Sequence, residues 1–479
     1  MDRLQTSVIE AQVVNPYPAS PIISRRRTRA RPKRRIYDDP LRPGLAFLII
    51  ITLSKFGSYF GILRQIRPAL LLFCFCAVAA FLNPKTLVLT NLKRNLTVWL
   101  LLGILVAVIG SAAFGISLGR AATFINGNFS KTLAIAFLMM VAIRDTRDLR
   151  TLTWAFTLGT MLLAFLSLFV VGISKSSING VSYDANDVGV FMTMSLPLAL
   201  LFFQSATNKK EKLVAILGIG LMAATLVKSQ SRGAFIGTLV VCAALLMMPG
   251  IAVRRRLFFV AAASFTMVVA APDGYWTAMR SILSDPKADY NWDAINGRRN
   301  LAKRGIRYMI DYPVFGVGIY NFPMAEGTIS DKARNLVRGQ GIRWAAPHNS
   351  FIQAGAETGF TGLFLWTSLV IANILVPLRL SRRLPRSWLK GTPNQRFLAF
   401  GTRYLPVAQL GFAATASFVS FAWLEPVYFF SALIVGLTVV VRRELPPPAA
   451  YRNIGFRSLR TRAIANPASP VFAAHHQIA

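Results

Sequence analysis

The sequence predicts an all-α, polytopic membrane protein with about 12 transmembrane helices and one long outward loop containing amphipathic helices. Three observations carry that expectation. The chain is 54% hydrophobic and only 15% charged, too apolar for an ordinary soluble domain. Apolar runs recur along it at the length, about 20 residues, that crosses roughly 30 Å of hydrocarbon. The cations between those runs are sorted into alternate loops.

Residues 1–40 form a polar tail that ends in the basic run Arg25–Arg35. It reads as disordered and cytoplasmic, lying on anionic lipid. No aromatic residues are interleaved with its charges, which argues against a nucleic-acid arm. The tail contains no apolar run of signal-peptide type, so the first hydrophobic segments are expected to direct insertion. The membrane region, residues 41–441, holds apolar segments near 43–62, 68–83, 97–117, 124–143, 151–172, 187–205, 212–228, 234–250, 256–272, 351–378, 404–422 and 425–441. Lys55 falls near the middle of the first and is read as snorkelling to the interface. Residues 442–479 form a second basic tail.

With the N-terminus inside, 19 Lys and Arg fall in the cytoplasmic loops and 7 in the short outward ones. That asymmetry follows the positive-inside rule, places both termini in the cytoplasm and turns the loop at about 273–350 to the far side. The net charge of +35, from 54 Lys+Arg against 19 Asp+Glu, therefore reflects topology rather than nucleic-acid binding. Cys74, Cys76 and Cys242 lie within apolar runs and read as buried thiols rather than a zinc or redox pair.

The long loop is where chemistry is expected. It contains Gly297-Arg298-Arg299, a segment with Arg299, Lys303 and Arg307 on one helical face and Leu301, Tyr308 and Met309 towards another, and the turn around Gly316-Val317-Gly318. Stacked like charges repel unless an anion lies beside them, and that anion is either lipid headgroups or a phosphorylated ligand. A guanidinium pairs phosphate oxygens through a planar fork, so Arg232, Arg298 and Arg299 are candidate pyrophosphate-binding residues. His348, in Pro347-His348-Asn349-Ser350, is the only histidine outside the C-terminal tail. It is able to take a proton from an attacking hydroxyl, and a solvated structural role is the alternative. A metal centre is not expected, since His348 has no companion ligands. Asp184-Ala185-Asn186-Asp187 reads as a helix cap, with divalent-cation binding as the alternative. Paired carboxylates of glycosidase type, a nucleophile elbow, a P-loop and a dinucleotide fingerprint are all missing from the sequence.

Taken in order, Asn186 before an apolar run, Ser229-x-Ser231-Arg232-Gly233, Gly297-Arg298, Pro313-x-x-Gly316-x-Gly318-x-x-Asn321-Phe322, and His348-Asn349 followed by Glu357-x-Gly359-x-x-Gly362 resemble the O-antigen ligase and O-antigen polymerase superfamily of bacterial envelope glycosyltransferases. The chain departs from the family pattern at Ala302 and Lys303, where members often carry a tryptophan, and in its basic tails. The resemblance implies an inner-membrane enzyme that transfers a glycan from undecaprenyl pyrophosphate to a sugar hydroxyl on the periplasmic side. The transfer it implies is inverting and needs no metal or other cofactor. The acceptor is lipid A-core for a ligase, or a second carrier-linked glycan for an O-antigen or exopolysaccharide polymerase. On this reading Arg232, Arg298 and Arg299 bind the pyrophosphate, His348 activates the acceptor, Glu357 orients His348 or the acceptor, and Asn349 and Asn186 support the loop or the acceptor. Membrane lipids are the remaining partners, and nucleic acid is not one. A flippase for a lipid-linked glycan would use the same arginines, and an interaction protein anchored in the membrane would use the tail.

Overall fold

The computed structural model describes residues 39–445, except 94, 174–182, 249–252, 272, 281, 283–296 and 335–344. Most of the two basic tails, Arg94, Lys175 and the middle of the long loop lie outside the described residues. Among those residues the structure is all-helical, and a helix falls within each expected apolar segment, with the segments at 43–62 and 404–422 only partly helical. In order they are α1 (Leu41–Ser54), α2 (Pro68–Leu82), α3 (Leu96–Phe114), α4 (Leu118–Ala142), α5 (Thr146–Val170), α6 (Ala185–Ser205), α7 (Lys209–Ser229), α8 (Arg232–Met247), α9 (Val253–Ala270), a short α10 (Asp273–Arg280), and α11 (Arg298–Asp311) and α12 (Phe322–Thr328) in the loop, then α13 (Ser350–Arg383), α14 (Pro393–Ala416) and α15 (Glu425–Glu444).

Eight of the described helices are long and apolar enough to span a bilayer: α2 with the turn from Gly61, α3 to α7, α13 and α15. The chain is a multi-pass membrane protein. α1 and α8 are apolar but shorter. The core sits where α14 packs on α6 and on α13, α5 on α1, and α15 on α4. Its largest buried side chains include Phe191, Phe202, Phe397 and Phe412.

Caps explain where these helices begin. Asp184 and Asp187 make a reciprocal capping box at α6, which is the reading the sequence favoured for them. Asn208 caps α7, Ser231 caps α8 and Asn349 caps α13. Thr392 and Gln395 form a second capping box, with Pro393 at the first position of α14. That box corrects one expectation: the helix predicted at 404–422 starts eleven residues earlier and stops at Ala416, leaving 417–424 as a non-helical bridge. Arg403, expected in a cytoplasmic loop, lies instead on α14, buried and bonded to the Ala399 carbonyl at 2.6 Å.

Lys55 is a second correction. It does not lie mid-helix: the backbone turns left-handed there (φ 52°) and ends α1. Its ammonium pairs with the Glu425 carboxylate at 3.1 Å and sits 5.1 Å from the Tyr183 ring centre. A cation this close to hydrocarbon is stabilised by a facing acid and an aromatic face more than by a stretch towards the interface.

Candidate active site

The chain segments that the motifs occupy gather at one end of the helical bundle. α11 opens this region, and its apolar face is buried as its periodicity predicts, with Leu301, Tyr308 and Met309 almost fully covered. Gly305 lets the helix approach α13, since a Cβ there would stand 2.3 Å from the Ile352 side chain. The Glu326 carboxylate on α12 is fully buried. It receives Arg304 Nε at 2.8 Å and the Tyr308 hydroxyl at 3.0 Å. Burial, followed by the charge of Glu326, pushes the Tyr308 phenol far above its ordinary value, so the hydroxyl stays protonated and donates. On the outer face Arg307 bonds Asp331 at 2.6 Å and lies 3.7 Å from Asp311. Part of the expected cationic stripe is therefore balanced within the loop itself.

The two glycine motifs fit one another. α13 is interrupted at Thr358 and Gly359, where Gly359 has φ 70° and ψ −174°, a backbone region open essentially to glycine alone. The Pro313–Gly318 turn docks into that interruption: Val317 N–H donates to Ala356 O at 2.9 Å, Gly318 N–H to Glu357 O at 3.2 Å, and Phe360 N–H to Pro313 O at 2.8 Å. Gly316 is left-handed as well, and a Cβ on it would fall 2.4 Å from the Glu357 carbonyl carbon. Asn321 ties the same turn to Ser117 O at 3.1 Å, and Ser111 Oγ donates to Glu357 O at 2.6 Å. The turn therefore clasps a broken transmembrane helix, so these glycines are there for backbone packing.

Glu357 lies in the clasp and is 1% exposed. Its carboxyl oxygens accept from Trp423 Nε1 at 2.6 Å and, more weakly, from Phe322 N–H at 3.4 Å. These contacts fasten α13 to the 417–424 bridge and to the start of α12. Asn349 is likewise engaged in architecture, its side-chain oxygen accepting from Phe351 and Ile352 N–H at 2.9 and 3.1 Å.

His348 is exposed and left-handed (φ 49°), an uncommon conformation for a non-glycine residue. Its N–H donates to Ser420 Oγ at 3.0 Å, and the neighbouring Ser350 donates to Val419 O at 2.8 Å. The bridge therefore fixes the backbone that carries the imidazole. On the other side of the region, Ser231 Oγ donates to Asn186 Oδ1 at 2.8 Å while accepting from Ala234 N–H at 3.2 Å. Asn186 thus anchors the first turn of α8, where Arg232 stands. Gly189 allows the close approach, a Cβ there meeting Ala234 at 2.5 Å. Arg298 and Arg299 occupy the first two positions of α11, after Gly297.

The structure thus brings together Asn186 with the Arg232 turn, and Glu357 with the glycine turn. Sequence reasoning missed Trp423, Ser420, Arg304 and Glu326. A Trp-x-Glu between two apolar runs was the available signal for the first. Among the described residues no group of three or more His, Cys, Asp or Glu side chains is placed to hold a metal ion.

Helices of membrane-spanning length, with a polar loop returning onto a broken helix, define a class: a multi-pass membrane protein that carries its polar site at one end of the bundle. Residues 217–367 match the family model described as O-Antigen ligase, so the resemblance read from the motifs holds over this stretch. The matched stretch includes Arg232, Arg298, the glycine turn, His348 and Glu357, and leaves out Asn186 and Trp423. No curated protein shows significant similarity to the chain.

Proposed function

We propose that the protein is an envelope glycosyltransferase that moves a glycan from undecaprenyl pyrophosphate to a sugar hydroxyl, on lipid A-core as a ligase or on a second carrier-linked glycan as a polymerase. One observation carries the reading. Arg232 and Arg298 each stand at the first position of a helix, and both lie within the matched stretch. A helix N-terminus presents unpaired N–H groups and a partial positive charge, so a guanidinium placed there adds to an existing attraction for anions. The leaving group of the proposed reaction is such an anion.

In this mechanism Arg232, Arg298 and Arg299 hold the pyrophosphate. The acceptor hydroxyl attacks the anomeric carbon from the opposite face, its oxygen–carbon bond forming as the bond to pyrophosphate breaks. The proton passes to the His348 imidazole, and configuration inverts. The departing charge is stabilised by guanidinium groups already in position, the kind of electrostatic preorganisation that often supplies the largest share of a rate enhancement. Glu357, Asn349 and Asn186 act as positioning residues. The proposal places the protein in the bacterial inner membrane, with both termini cytoplasmic and the site periplasmic, and requires no metal.

The test is glycan transfer in membrane vesicles, from the carrier-linked glycan to lipid A-core or to a second carrier-linked unit, comparing wild type with His348→Ala at equal expression. Loss of transfer with donor still bound is expected, and the labelled product tells ligase from polymerase. Normal transfer by the variant removes His348 from the mechanism. A wild type that only moves the lipid across the bilayer makes the protein a flippase.

A further inference from the structure

The described structure holds a second basic region at the same end of the bundle, to which the proposed mechanism assigns no step. It is a cavity of about 290 Å³ between the end of α1, the segment that follows it to the start of α2, and the middle of α4. Four cations line it, Lys55, Arg64, Arg67 and Lys131, against one acid, Glu425. Lys55 is held by Glu425. Among the described residues Arg64, Arg67 and Lys131 enter no ion pair or side-chain hydrogen bond. The rest of the wall combines apolar side chains, Ile51, Leu63, Leu70 and Phe73, with the polar Thr52, Ser58, Asn128 and Thr132.

Two backbone features show that this is a built arrangement. Lys55 and Arg67 are both left-handed, with φ 52° and 53°, and they bracket the broken segment between α1 and α2. Such conformations are costly for a non-glycine residue and persist only where the surrounding structure holds them. Here they fold the chain back on itself, so that Arg64 and Arg67 face the same space as Lys131 from α4. Like charges gathered around one cavity repel each other until an anion enters it.

We propose that this cavity binds the phosphate headgroup of a membrane amphiphile, with the apolar part of the wall taking the first carbons of its chains. The charge is right for a phosphate and that part of the wall is right for an acyl or prenyl tail. The cavity also borders the proposed active site. Lys55 lies over Tyr183, next to the α6 cap that holds the Arg232 turn. Glu425 is two residues from Trp423, the partner of Glu357. Two sources share this chemistry: a phospholipid of the bilayer, and a phosphorylated lipid substrate of the transfer reaction.

The experiment titrates the full-length protein in neutral detergent with dioctanoyl phosphatidate, using dioctanoylglycerol as the uncharged control. It compares wild type, Arg64→Ala/Arg67→Ala, Lys131→Ala and the charge-keeping Arg64→Lys/Arg67→Lys. Phosphatidate should bind saturably, about thirtyfold more weakly in the double alanine variant and about fivefold more weakly in Lys131→Ala. The lysine pair should stay close to wild type. These side chains are exposed, so folding is not expected to suffer. Equal binding of the uncharged lipid, or an affinity unchanged by the alanine variants, overturns the proposal.

The source is read from transfer kinetics of the double alanine variant, an arm that rests on the proposed function. A KM raised for the acceptor alone identifies the acceptor lipid, and one raised for the donor alone identifies the carrier. Both unchanged, with phosphatidate binding lost, identifies a bilayer phospholipid. Binding is measured without turnover, so a failure of the glycosyltransferase reading is distinguishable from a failure of the cavity.

Discussion

Replacing Glu357 separates positioning from chemistry. Its carboxyl group is 1% exposed and accepts from Trp423 Nε1 at 2.6 Å and Phe322 N–H at 3.4 Å, with the Tyr320 backbone N–H also bonded to it. Glu357→Gln keeps the shape and one oxygen for Trp423, but turns an amide NH₂ towards the Phe322 N–H. The expected loss is about 1–2 kcal/mol, the weak bond together with a donor–donor contact. Glu357→Ala leaves the Trp423 and Phe322 donors buried without an acceptor, at about 1–3 kcal/mol each, and opens a void besides. Thermal unfolding in detergent, followed by fluorescence-detected size exclusion, reads the stability. Transfer is then normalised to folded protein. A positioning residue gives a graded series in which Gln unfolds a little earlier, Ala much earlier, and normalised transfer by Gln stays within about tenfold of wild type. A loss of about 10²-fold or more in Glu357→Gln at an unchanged unfolding temperature, the size expected on deleting a general acid or base, would refute this reasoning and make the carboxyl group a participant in the reaction.

Arg298→Ala should lower turnover and donor affinity together, and unaltered transfer removes that arginine from the site. Gly359→Ala should destabilise by about 1–3 kcal/mol from the backbone alone, more once its Cβ meets the Pro313 carbonyl at 2.5 Å; an unfolding temperature equal to wild type contradicts the clasp. Ser231→Ala removes both the α8 cap and the bond to Asn186 and should cost about 1–3 kcal/mol, with a fall in donor affinity as the Arg232 turn loosens. Transfer should survive EDTA, and inhibition that magnesium reverses would return Asp184 and Asp187 to consideration as cation ligands.

The all-helical membrane fold was legible because hydrocarbon demands long apolar runs, and the buried face of α11 because its spacing follows the helical period. Pairings between distant residues were not. Lys55 and Glu425 are 370 positions apart, so nothing near Lys55 announces its partner, and a lone lysine among apolar residues defaults to snorkelling. The 417–424 bridge was hidden for a related reason: Phe418, Val419, Phe421 and Trp423 count as membrane residues on a hydropathy scale, whatever their backbone does. The glycine turn was legible as a turn, but its docking into the break at Gly359 was not, because each motif gains its meaning only from the other.

That interlock bears on how the motif residues divide. Asn321, Glu357 and the glycines at 316, 318 and 359 all have partners that hold the loop against the membrane helices, and Asn349 caps α13, so each serves shape even if it never meets a substrate. α11 is secured on three sides, by Glu326 holding Arg304 and Tyr308, by Gly305 against Ile352, and by the turn that Asn321 ties to Ser117. A loop of this size would otherwise be mobile at the membrane surface, and ordering its cationic side chains around a ligand would subtract from binding. Fastening the body of α11 moves that entropic cost into folding. Arg298 and Arg299 then project from the start of a fixed helix, as Arg232 does from α8 under Asn186. On this division, substitutions in the fastening residues should lower stability and transfer together, whereas those at Arg232, Arg298 and His348 should lower transfer at constant stability.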